Sequence, residues 1–131
     1  MSLYLGIFDG DEEINGWVFG HYSDFGCFRD AVASVVDARR FPVLMQSSDC
    51  DSEWSPDQQR LLIQQLAEIG EVFRLQPPKQ PEGSFEHTGE FRRGAASLYD
   101  CFHNVDGENV FEAMTLLCEV GIEKNLPLVM Q

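Results

Sequence analysis

The sequence predicts an α+β fold: a mixed β-sheet with an N-terminal hairpin and a C-terminal strand, packed by about three α-helices. Three observations predict it. Apolar runs of strand length stand near both ends, internal stretches repeat apolar residues at helical spacing, and clusters of turn residues separate them. The 131 residues fit one domain, 1–131, large enough to bury roughly two-thirds of the surface of the unfolded chain. An apolar fraction of 44%, with ten Phe and two Trp, predicts a globular protein that folds without a cofactor.

Leu3 to Phe8 and Ile14 to Tyr22 read as two strands of a hairpin joined by the turn Asp9-Gly10-Asp11-Glu12-Glu13, with Gly6, Gly16 and Gly20 marking bulges or the close approach of another backbone. Ser23 or Asp24 can cap a helix whose apolar positions are Phe25, Phe28, Val32, Val35 and Val36, with Arg39 and Arg40 as cations near its C-terminal end. Phe41 to Gln46 reads as a buried strand, which leads into the acidic segment Ser47 to Trp54.

Ser55, Pro56 and Gln58 form a capping-box arrangement, the clearest local signal in the chain. The helix they start has Leu61, Leu62, Leu66, Ile69, Val72 and Phe73 as its apolar stripe. Gln76 to Ser84 carries three prolines and a glycine and predicts a surface loop. A strand around Phe85 to Phe91 and a short helix from Ala95 to Phe102 follow. Asp106-Gly107-Glu108 opens a last helix through about Glu123, with Asn125 as its stop, and Leu126 to Met130 ends as a strand. So apolar a strand should not lie unpaired, and Leu128 is expected inside the sheet and essential for folding.

Asp and Glu number 22 against 9 Lys and Arg, a formal charge of -13. That field repels nucleic acid and anionic membranes and attracts basic partners, raising association rates toward about 10⁸–10⁹ M⁻¹s⁻¹ at low salt. The alternative is that the charge only maintains solubility. The start of the chain has no basic n-region, and no segment approaches the ~20 apolar residues of a membrane span. Cys27, Cys50, Cys101 and Cys118 form no CxxC pair and read as reduced, mostly buried thiols of a cytoplasmic protein.

The sequence is poor in catalytic signals. Asp49-x-Asp51-x-Glu53 resembles the opening of a calcium loop, yet Trp54 stands where the loop needs Gly, and Arg60 where it needs a bidentate Glu. Carboxylates stabilising the following helix N-terminus are the simpler reading, with a weak cation site as the alternative. His21, His87 and His103 show no metal-ligand spacing, and the aspartates flanking Cys50 suppress its thiolate. No phosphate-binding glycine loop or nucleophile elbow is present.

Acid interleaved with aromatics points instead to protein binding. Asp49, Asp51, Glu53 and Trp54 form the first candidate partner-binding group, and Asp9, Asp11, Glu12 and Glu13, near Trp17, the second. A Trp among carboxylates can anchor a Lys- or Arg-rich surface. Burial in the core is the alternative for both tryptophans, and the preferred one for Trp17.

Tyr22-Ser23-Asp24-Phe25-Gly26-x-Phe28-Arg29, Ser48-Asp49-Cys50-Asp51-x-Glu53-Trp54-Ser55-Pro56, and the stretches Asp106-Gly107-Glu108 and Leu126 to Gln131 resemble the immunity protein 70 family over nearly the whole chain. The resemblance implies an immunity protein of a bacterial polymorphic toxin system, which binds and neutralises a toxin domain made by the same cell and is not an enzyme. The acidic charge further suggests a toxin with a basic surface, such as a nuclease. Two other readings stay open: an acidic cytoplasmic interaction or regulatory module with a non-toxin partner, and a small metal-dependent hydrolase built on Asp49 to Glu53.

Overall fold

The computed structural model describes residues 2–47, 52–79, 95–104 and 106–131. Strands β1 (Ser2–Asp9) and β2 (Glu12–His21) form the expected hairpin. Its turn is tighter than the acidic run suggests, because Asp9 already pairs with Glu12 and Gly10 takes φ 63°. Helix α1 (Tyr22–Val35) follows without a loop. Its N-cap is His21, and Asp24, in the first turn, reaches back to accept a hydrogen bond from the His21 amide at 2.7 Å. Arg39 and Arg40 lie beyond α1, in a separate 3-10 turn, Ala38–Arg40.

The expected strand at Phe41 to Gln46 is instead a short helix, α2 (Pro42–Gln46). Pro42 at its first position has the φ that a helix start needs, and the turn puts Phe41 and Leu44, three residues apart, into the core. Strand β3 (Glu53–Trp54) precedes α3 (Pro56–Arg74), which starts with the predicted Ser55–Gln58 capping box. Leu98–Cys101 is a 3-10 turn within the segment expected to be helical, and the strand expected at Phe85 to Phe91 lies outside the described residues. Helix α4 (Val110–Lys124) is capped by Asn109 and stops at Asn125, which adopts the left-handed conformation at φ 57°. Strand β4 (Leu128–Met130) completes the sheet.

The sheet runs β2-β1-β4-β3 and is antiparallel throughout, so the fold is α+β as expected but the sheet is not mixed. Losing the strand at Phe41 to Gln46 removes the element that a parallel pairing would have needed. Leu128 lies opposite Ile7 on one side and Trp54 on the other.

Alternation decides the two faces. Leu3, Leu5, Ile7, Trp17, Phe19, Trp54, Leu128 and Met130 are buried under the helices. Phe28 of α1 is the hub of that core, edge-on to Phe102 at 5.4 Å and to Phe111 at 5.3 Å. Tyr4, Gly6, Phe8, Val18, Val129 and Glu53 occupy the opposite positions on the side away from the helices. No helix among the described residues is long and apolar enough to cross a membrane.

Candidate partner-binding surface

Glu53, Val129, Gly6 and Gly16 form one row across the sheet away from the helices, one residue from each strand. The row beside it holds Phe8 and Glu13, and the row on the other side Tyr4 and Val18. Two irregularities in β2 set this arrangement. The strand register shifts between Ile7 and Phe8 and again between Leu3 and Tyr4, leaving Ile14 and Phe19 as the extra residues. Ile14 packs against the core while Glu13 keeps to the open face.

The rings of Tyr4 and Phe8 lie over the two central glycines. A Cβ on Gly6 would stand 2.5 Å from the Phe8 ring, and one on Gly16 would stand 1.8 Å from the Tyr4 hydroxyl. That hydroxyl donates a hydrogen bond to the Glu13 carboxylate. The bond, burial of the phenol and the negative charge of Glu13 all raise the Tyr4 pKa, the hydrogen bond most, so Tyr4 stays neutral and remains a donor. The middle of the face is therefore an aromatic floor held in place from its acidic side.

Asp9, Asp11, Glu12 and Glu13 are all exposed at the hairpin tip, and Asp9 and Glu12 lie directly opposite each other. Like charges so placed repel, at a cost of order 0.2–1 kcal/mol. Glu53 is exposed on the far edge strand, about 16 Å from Glu13 by strand spacing and rise. The two acidic groups thus flank one sheet face. Among the described residues the ion pairs are Arg39–Asp37, Arg40–Glu68, Arg60–Asp57 and Arg74–Glu71, and none uses these five carboxylates.

Of the first candidate group, Asp49 and Asp51 lie outside the described residues. Trp54 is no surface anchor: it is 1% exposed, its indole N–H donates to Ser47 Oγ at 2.7 Å, and its carbonyl accepts from Gln59. The period-2 alternation of β3 turns Glu53 out and Trp54 in. Trp17 is likewise in the core, edge-on to Phe19 and donating to Glu108 at 3.2 Å. The aromatic residues of the open face, Tyr4 and Phe8, were not singled out from the sequence. Their signal was the alternation of β1, in which Leu3, Leu5 and Ile7 claim one face and leave the two rings for the other.

His21 is exposed, His103 is half-buried and His87 lies outside the described residues. Burial lowers the His103 pKa against the opposing pull of Asp100 and Glu112. Cys101 and Cys118 are buried, and desolvation pushes the Cys118 thiol up to about 12, which keeps it protonated. No group of three or more His, Cys, Asp or Glu among the described residues is placed to hold a metal. Acidic at both flanks and aromatic between them, the face suits contact with a basic protein surface.

No curated protein and no solved structure matches the chain. A sequence model described as "Immunity protein 70" matches residues 4–130, a span that, among the described residues, takes in every strand and helix except the first two residues of β1. The chain belongs to the immunity protein 70 family.

Proposed function

We propose that this immunity protein acts in the cytoplasm by binding and neutralising a cognate toxin domain, without catalysis, through the acidic open face of its sheet. The supporting observation is the half-buried aromatic floor of Tyr4 and Phe8 flanked by the exposed carboxylates of Asp9, Asp11, Glu12, Glu13 and Glu53. Asp49 and Asp51, close to Glu53 in sequence, belong to the same proposal. A toxin with a basic substrate-binding surface, as a nuclease has, is the complementary partner: the carboxylates steer encounter and the rings supply contact area.

Growth rescue by co-expression with the toxin domain tests the activity, and stopped-flow association tests the surface. Changing Asp9, Asp11, Glu12 and Glu53 to Lys should slow association by about tenfold or more. Because Asp9 and Glu12 stay alike in sign, stability should change by no more than about 1 kcal/mol. Unaltered association would remove this face as the interface. Failure of the unmodified pair to rescue or to form a complex would remove the toxin reading.

A further inference from the structure

We infer that the solvent side of the helical layer carries a second docking site, for a basic amphipathic peptide segment of a partner protein. An open groove of 420 Å³ runs between α3 and α4, with the 3-10 turn at one end. Its floor is apolar: Leu66 and Gly70 from α3, Phe111 and Leu116 from α4. Leu116 is 58% exposed, although Phe111 and Gly70 beside it are buried, so its side chain offers apolar area that the described residues leave open.

The charges around this floor select the occupant. Glu112, Leu116 and Glu119 stand at i, i+4 and i+7 on α4, which puts a carboxylate on each side of the exposed leucine along one helix face. Glu71 of α3 faces them across the groove. Arg74 is the cation of the lining, and it is engaged: it pairs with Glu71 at 2.7 Å and lies over the Tyr99 ring at 4.1 Å. Tyr99 in turn stacks on Phe111 with ring centroids 4.8 Å apart. Arg74 and Tyr99 thus make a fixed end wall, while Glu112 and Glu119 remain to be matched by a partner's cations.

A helix that places Leu-sized side chains at i, i+4 and i+7 and Lys or Arg beside them fits both parts: the apolar side chains over Leu116 and Phe111, the cations against Glu112 and Glu119. An acidic or uncharged amphipathic helix satisfies only the first part. The site is on the helical side of the molecule, opposite the open sheet face, and does not depend on the toxin reading.

The test uses the full-length protein and a fluorescein-labelled helical peptide of Leu, Lys and Ala, alongside its Glu-for-Lys counterpart, at about 0.15 M salt, where remote charges are screened. Anisotropy should show saturable binding of the Lys peptide alone. Leu116→Ser and Ala67→Trp, both changes at exposed groove positions that leave the charge unaltered, should each weaken binding at least tenfold while the thermal midpoint holds. The variant with Asp9, Asp11, Glu12 and Glu53 changed to Lys should bind the peptide as the wild type does. Equal binding by the groove variants, a loss in the hairpin variant as large as theirs, or no binding by the wild type overturns the assignment. So does sedimentation showing a dimer that Leu116→Ser dissolves, since the occupant would then be a second copy of the chain.

Discussion

Gln59 stands where an apolar side chain is due. Positions 59, 62, 66, 69 and 73 follow one helical stripe, and all five are buried. Its amide donates to the carbonyls of Trp54 at 3.0 Å and Leu126 at 2.8 Å, which binds the end of β3 to the approach of β4. The room for it comes from Gly121 on α4, where a Cβ would stand 1.9 Å from Gln59 Oε1. Gly121→Ala should therefore destabilise by about 1–3 kcal/mol in urea unfolding, and Gln59→Leu by a similar amount because two buried carbonyls lose their donor. In the double variant the costs should add to less than their sum, since the added methyl no longer meets an amide.

His103 supplies the pH dependence at this scale. Burial holds its folded pKa below the unfolded value of about 6.5, so the unfolded chain takes up the proton first. The His103 contribution is fully present above about 6.5 and is lost as pH falls through the lower folded value. Stability measured from pH 7.5 down to 5 should fall, and His103→Gln should flatten that part of the profile. A profile unchanged by the substitution would show that other groups set it.

At the scale of elements, β4 lies between β1 and β3 inside the sheet. Leu128 is fully buried between Ile7 and Trp54, whereas Val129, its neighbour, faces away from the helices. Leu128→Ala should cost about 2–5 kcal/mol, and Val129→Ala distinctly less, by chemical denaturation. The place of Leu128 was legible because the short run Leu126 to Met130 is almost wholly apolar and buries itself most readily by pairing inside a sheet. Start of α3 was legible for a different reason: Ser55, Pro56 and Gln58 carry their own local chemistry. Phe41 to Gln46 was misread because six mostly apolar residues with a proline serve a strand or a single helical turn equally well, and only the packing of Phe41 and Leu44 decides. Strand β3 is too short to show a period, so Trp54 could not be assigned to a face from sequence. The acidic half of the open face could be read residue by residue, but its aromatic half required the pairing register, and the groove between α3 and α4 required their adjacency in space.

For the whole molecule, a formal charge of -13 is spread over helices, edge strand and hairpin tip, so the far field is negative from many directions. The field affects encounter more than residence. Association with a basic toxin domain should slow steeply between about 0.05 and 0.5 M salt, as screening shortens its reach, while dissociation changes little. A dissociation rate that carried most of the salt effect would place the controlling charges inside the bound interface.

The sheet also imposes an order in time. Leu5 meets Met130, and Glu53 and Trp54 pair with Val129 and Leu128, so β4 is the strand that joins the hairpin to β3 within the sheet. Pairing over so long a stretch of chain is slow compared with closing the hairpin. A nascent polypeptide already displays its acidic hairpin tip, but it has no assembled face until residues 128–130 are made and inserted. A chain stalled or trimmed before that point carries the charge without the shape. A protease that clipped β4 away would therefore dismantle the face without touching a carboxylate of the hairpin tip.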